Sequence, residues 1–296
     1  MRSGWLGMLA RIGCALAVGC ASLSAFADPG TLRAKHTELR EQLRNNSYHR
    51  PIYIESAEEG DTLKGDVYAV LNHPFEELAS SLKQPNDWCS ILILPFNTKY
   101  CHPVKAGNGA TMLTMRIGRK ADQPVDEAYR VDFALRPVAA TDDYFESRLT
   151  AREGPVGTRD YRITLEAVPL DNGRTFMHLA YSYASGGMGR FAMQAYLNTA
   201  GRDKVGFSVV GKDGNGEPIY IAGVRGAIER NVMRYYLAID AHMASLAAPP
   251  DQQLDKRIET WFNSAERYAR QLHEMDRAQY VALKKGEFER QQAMIE

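Results

Sequence analysis

The stretch that decides the fold is GVRGAIERNVMRYYLAIDAHMASL, residues 223–246. At about 100° per residue, Ile228, Val232, Tyr235, Ile239, Met243 and Leu246 share one side of a helix. Glu229, Arg230, Arg234 and Asp240 fall on the far side. Pro249-Pro250 stops the helix, since proline lacks the amide that would continue it. A helix of this length carrying one long apolar stripe must lay it on something, and the simplest partner is a sheet. Met233 and Leu237 sit among the charges at the back and call for a second cover.

The segment upstream supplies the sheet. From Thr111 to Val210 the apolar period is two rather than about 3.6. Residues 111–119, 128–136, 144–151, 161–168 and 175–183 read as strands, and residues 204–210 as a further one. Asp171-Asn172-Gly173 between two of them is a hairpin signal, because Asn and Gly accept positive φ. Consecutive hairpins make an antiparallel meander. Before it come a helix over 31–45, two strands over 51–55 and 62–71, and a helix opened by Pro74 that Pro85-Asn86-Asp87 ends. Trp88 to Leu94 is apolar enough to be buried as helix or strand. Gly186-Gly187-Met188-Gly189 breaks the pattern and leads to a short helix over 190–199.

Export is expected from the first residues. Arg2 and Arg11 precede an uncharged run ending Ala25-Phe26-Ala27. This reads as a secretory signal with cleavage between Ala27 and Asp28 and delivery to the periplasm. A lipoprotein reading would instead modify Cys20, but Ala17 stands where Leu is usual. The chain of 296 residues holds 36 Lys plus Arg and 36 Asp plus Glu. Without residues 1–27 the balance is 34 to 36, a net charge of −2. No basic surface suits nucleic acid, and no later apolar run reaches the ~20 residues that span a bilayer. Cys14 and Cys20 fall in the signal, which leaves Cys89 and Cys101. In an exported chain the two favour a disulfide. The alternative is a metal site with His102 and His73, without the close C-x-x-C pairs of structural zinc.

The tail repeats Leu254, Ile258, Trp261, Ala265, Tyr268, Leu272 and Met275 at spacings of four and three. This seam either packs on the back of the preceding helix or forms a homodimer through residues 254–275. Beyond Met275 it fades, and the last residues are expected to fray.

Complete catalytic motifs are absent: there is no G-x-S-x-G, no H-E-x-x-H and no Walker loop. His178 and Asp132 are the candidate acid-base residues, each on the more polar side of its strand. No metal and no cofactor is expected.

The order of elements resembles the START-like, helix-grip superfamily, whose bacterial members include polyketide cyclase-like domains. Gly157-Thr158-Arg159-Asp160-Tyr161-Arg162 is similar to the Arg-Asp-aromatic start of a strand in START domains, and the 171–173 hairpin follows it. The resemblance implies an α+β fold, a curved antiparallel sheet gripping the long C-terminal helix around an apolar cavity. It also implies carriage of a lipid-like hydrophobic small molecule more than chemistry. The expected organisation is a signal over 1–27, a helix over 28–50, a ligand-binding body over 51–248 and a helical tail over 249–296. Tyr181, Tyr183, Met188, Ile228, Val232, Tyr235, Ile239 and Met243 are the expected cavity lining. A cyclase- or hydrolase-type enzyme using the same cavity, and an envelope scaffold using the tail, are the alternatives.

Overall fold

A computed structural model describes residues 28–199 and 201–294. The expected signal peptide and Cys20 lie outside the described residues. Asp28, the first described residue, caps helix α1 (Pro29–Glu38), its carboxylate accepting the Thr31 amide at 3.0 Å. This satisfies one of the amides that a helix start leaves open. A short helix α2 (Arg40–Arg44) follows.

Strand β1 (Ile52–Glu59) pairs with β2 (Thr62–Leu71), and β2 pairs with a later strand, β8. Helices α3 (Phe75–Leu82) and α4 (Pro85–Leu92) come next. The meander then runs through β3 (Thr98–Lys105), β4 (Thr111–Ile117), β5 (Tyr129–Ala140), β6 (Phe145–Glu153), β7 (Thr158–Leu170) and β8 (Arg174–Ser185). The eight antiparallel strands form one sheet in the order β1-β2-β8-β7-β6-β5-β4-β3. Asn172, with φ 62°, and Gly173, with φ 67°, make the left-handed turn between β7 and β8. Both residue types accept that conformation at little cost.

Alternation assigns the faces. Met177, Leu179, Tyr181 and Tyr183 of β8 point inward, where α6 (Gly223–Ser245) crosses the sheet. Gly65 of β2 makes this crossing close: a Cβ there would lie 3.2 Å from Ile228 Cγ1 and 3.3 Å from Val232 Cγ1. Glycine inside a strand often marks such a close approach. The outer face carries Tyr68, Val70, Val168 and Phe176, which α1 and α2 cover with Leu32, Leu39 and Leu43 as a second core. Between β8 and α6 lie α5 (Gly187–Asn198) and a separate hairpin of β9 (Val209–Lys212) and β10 (Pro218–Tyr220).

Four expectations change. Residues 98–105 form an additional strand, β3. The helix after Pro74 does end, at Leu82, but Pro85-Asn86-Asp87 then opens a second helix, α4, with Pro85 at the first position, where a missing amide costs nothing. The charged side of α6 is buried: Glu229 is 0% exposed and Arg230 2%. Glu229 tolerates this because its carboxylate accepts the Phe207 and Ser208 amides and the Ser56 and Ser208 hydroxyls, at 2.7–2.9 Å. A buried polar group satisfied in this way carries little penalty. The strand expected over 204–210 starts only at Val209 and stands outside the main sheet.

The tail covers the back of α6. Helix α7 (Gln253–Glu266) brings Trp261, whose indole donates to the Arg234 carbonyl at 3.1 Å, and Met233 and Leu237 become fully buried. Ile258, Trp261, Ala265 and Leu272 are at most 1% exposed within this one chain, so these four seam residues are buried by the chain itself. Past a turn of helix, α8 (Ala269–Leu272), the chain does not fray at once. It forms α9 (Arg277–Ala293), with Tyr280, Lys284 and Glu287 buried. Glu287 takes Lys99 Nζ at 2.8 Å and Lys284 Nζ at 2.7 Å. The two ammonium groups also donate to the carbonyls of Phe96, Ala121, Pro95 and Thr98. Burial pulls Lys284 down to about 8 against the pull of Glu287, as desolvation disfavours the charged form. Cys89 and Cys101 are joined, tying α4 to β3 across a separation of 12 residues. No helix among the described residues is long and apolar enough to cross a membrane.

Candidate functional site

A cavity of about 300 Å³ lies where the inner face of the sheet meets α6 and α5. Its floor is the inward side of β4, β5 and β7, through Met115, Val131, Phe133 and Ile163. Its wall is aromatic: Tyr161 of β7, Tyr181 and Tyr183 of β8, and Tyr235 of α6. Asn231, one turn before Tyr235, lines the same wall, and Gly189 and Met193 of α5 close the side. Pro155 and Val156, in the β6–β7 connection, form part of the rim. Val156 is 55% exposed and holds φ 55°, a rare conformation for a β-branched residue. Phe191 of α5 is also exposed.

The rings pack on one another. Tyr161 stacks on Tyr183 at 5.3 Å, and Tyr181 meets Tyr235 edge-on at 5.3 Å. Both arrangements are ones that aromatic quadrupoles favour. Gly154 allows Tyr161 its place, since a Cβ there would meet the ring at 2.3 Å. The Tyr161 hydroxyl is 2.7 Å from Thr158 Oγ1. No charged side chain lines the cavity among the described residues. Burial raises Tyr181, Tyr183 and Tyr235 above the usual phenol range, so all three stay protonated. An adjoining cavity of about 540 Å³ shares Thr158, Tyr183, Gly189 and Met193 with the first and adds Glu58, Asp61 and Arg202.

The structure places the expected lining residues unequally. Tyr181, Tyr183 and Tyr235 are on the cavity wall. Ile228, Val232 and Ile239 are not: they are at most 1% exposed and packed in the core, the first two where Gly65 lets α6 approach β2 closely. Met243 faces a different depression, beside Ser81 and Asp87. The side chain of Met188 lies outside the described ones. Sequence reasoning missed Tyr161, Phe133 and Asn231. Tyr161 shares the inward parity of Ile163, and Asn231 lies four residues before Tyr235, so both signals were available.

The acid-base candidates lie elsewhere. His178 is on the outer face, stacked on Tyr68 at 4.2 Å. Its Nε2 is 2.7 Å from Asp66 Oδ1 and its Nδ1 3.0 Å from Glu166 Oε2. Burial pulls its pKa down, but the two carboxylates outweigh that and raise it. Tyr144 donates to Glu166 at 2.8 Å and to Glu146 at 3.2 Å, completing a fixed polar network under α1. Asp132 is a surface carboxylate paired with Arg130 at 2.9 Å and accepting from Thr114 Oγ1 at 2.7 Å. Neither reaches the cavity, because both have the outward parity of their strands. Ser81, Asp87 and His242 also meet. The hydroxyl and the carboxylate both sit on the Nε2 side of the ring, at 2.9 Å and 3.7 Å. That is not a nucleophile-base-orienter relay, which needs the two on opposite nitrogens. No group of three His, Cys, Asp or Glu side chains arranged to hold a metal ion occurs among the described residues.

No known family profile and no curated protein matches this chain. Solved structures similar to it include a conserved protein from Geobacillus kaustophilus, at 15% identity and a TM-score of 0.39, over 62% of this chain and 95% of that one. Norcoclaurine synthase from Thalictrum flavum is similar at 12% identity and 0.34, over 49% and 87%. The protein Ara h 8.0201 is similar at 9% identity and 0.36, over 62% and 99%. For this chain the architecture rests on its own topology, one wide antiparallel sheet wrapped over one long helix near the C-terminus. It is a helix-grip.

Proposed function

We propose that this chain is an exported, START-like binding or transfer protein that holds a lipid-like hydrophobic small molecule in the cavity between β4, β5, β7, β8, α5 and α6. One observation carries the reading: a space of about 300 Å³ with an apolar floor and a few phenol and amide groups on one wall. That is the usual composition of a small-molecule site. Moving an apolar ligand from water onto such a wall is favourable by about 25 cal/mol per Å² of apolar surface covered. The Cys89–Cys101 bridge is compatible with an oxidising compartment, as is the Arg2-to-Ala27 segment with export. In this reading residues 51–248 are the ligand-binding body, and residues 249–296 support it by covering α6.

The test is titration of the purified protein with a polarity-sensitive fluorophore. Saturable uptake of one probe per chain is expected, with loss of uptake when Val131→Phe fills the floor. Absence of uptake by the unmodified protein would contradict the reading. For export, N-terminal sequencing of the processed protein should begin at Asp28; a lipid-modified Cys20 would overturn that.

A further inference from the structure

The polar groups on the cavity wall are specific about charge. Tyr181 and Tyr183 are 6% and 4% exposed, and with Tyr235 they line the space. None of their three hydroxyls has a hydrogen-bond partner among the described residues. Nor is any of them among the polar side-chain atoms sealed away from solvent without a partner, such as Ser147 Oγ and His242 Nδ1. The hydroxyls therefore open onto space: Tyr181 and Tyr235 line the cavity, and Tyr183 lines both it and the adjoining one. A buried phenol with no partner loses its hydrogen bond to water and regains it only from what occupies the site.

The same wall excludes ions. A carboxylate or phosphate would leave water and find no cation among the described lining residues, which is strongly unfavourable. A cation would find no carboxylate there. An aromatic cage could replace one, but here the faces are already occupied. Tyr161 stacks on Tyr183, Tyr181 and Tyr235 touch edge to face, and neighbouring centroids are 5.3–6.2 Å apart. From these contacts, and resting on the ligand-binding reading above, we infer that the cavity selects an uncharged molecule carrying a hydrogen-bond-accepting oxygen, a ketone, quinone or ester type of group, which the Tyr181, Tyr183 and Tyr235 hydroxyls hold. An ionised head group is disfavoured at these three hydroxyls, the nearest charged lining being Glu58, Asp61 and Arg202 of the adjoining cavity. The three phenols are specificity-determining residues. The acceptor is held across the whole physiological pH range, because burial keeps each phenol in its donor form.

Three naphthalene probes of matched size test this on the full-length processed protein: the neutral ketone prodan, the corresponding naphthoate, and a trimethylammonium analogue. The ketone should bind at least about tenfold more tightly than either ion, a ratio that one unpaired buried charge readily exceeds. Prodan emission reports hydrogen bonding to its carbonyl. Tyr181→Phe and Tyr235→Phe keep the ring and remove only the donor. Each should raise the Kd for the ketone by about three- to tenfold, shift its emission to the blue, and leave the weak binding of the ions unchanged. Equal binding of ketone and naphthoate, or ketone binding and emission unmoved by both substitutions, overturns the inference while the cavity reading stands. Binding of none of the three overturns the cavity reading and this inference together.

Discussion

Val131→Phe and Val232→Phe add the same ring to two buried valines, and the structure assigns them opposite consequences. Val232 is 0% exposed, and its Cγ1 lies 3.3 Å from where a Cβ on Gly65 would stand. A phenyl group there has no room, and the helix must lift from β2. Overpacking of this kind costs about 1–3 kcal/mol. For a chain of this size that lowers Tm by roughly 2–4 °C per kcal/mol. Val131 is 3% exposed but turns toward about 300 Å³ of open space. Its added ring occupies that volume and replaces empty contacts with apolar ones, so stability should stay within about 0.5 kcal/mol of the parent. Urea denaturation measures both, and fluorophore titration measures the second effect. Val131→Phe should weaken probe binding by about tenfold or more, and Val232→Phe should leave binding of the folded fraction nearly unchanged. If Val131→Phe is as destabilising as Val232→Phe and leaves probe affinity intact, the space is not the binding site and the reasoning fails.

Other outcomes follow from the buried polar networks. His178 has a raised pKa in the fold, so its contribution is complete below the unfolded value of about 6.5 and is lost as pH rises through the folded value. The stability difference between the parent and His178→Phe should therefore shrink as pH rises across that window. His36 and His242, whose pKa values burial lowers, are common to both proteins and cancel in the comparison. Glu287→Gln leaves Lys99 and Lys284 buried without their carboxylate and should cost about 3–5 kcal/mol in denaturant titration. The Cys89→Ser, Cys101→Ser pair should lose about 3 kcal/mol on the chain-entropy estimate for a loop this short. Unchanged stability would show that the bridge does not form in the protein as purified.

Much of the sheet was legible because its inner face is continuously apolar, while its outer face is apolar only where α1 and α2 cover it. Strands β4 to β8 alternate clearly, and Asn172-Gly173 forces the turn between the last two. Strand β3 was hidden: Lys99, His102, Pro103 and Lys105 interrupt its pattern, and its hydrogen bonds to β4 and the carboxylate of Glu287 make up for what the alternation lacks. The buried side of α6 was misread for a related reason. Periodicity takes Glu229 and Arg234 as solvent-facing, whereas backbone amides satisfy the first and Glu274, at 2.6 Å, the second. Helix α9 escaped notice because Lys284, Glu287 and Gln291 share its buried face with Tyr280 and Leu283 and break the apolar period. At the cavity, the stripe on α6 was right as a buried stripe. Its division between core and cavity depends on Gly65, a residue on another element whose role only packing reveals. Alternation divided β8 correctly into two faces, but only the position of α1 shows that the His178 face is the outer one.

The central claim is that the cavity holds an uncharged hydrophobic ligand. Native mass spectrometry of the protein purified from its native compartment tests this most directly. The account predicts a single added mass that organic extraction removes, that proves to be a neutral oxygen-bearing molecule, and that is absent from the Val131→Phe protein. Recovery of the bare chain alone, together with no saturable uptake of a neutral probe, would contradict it.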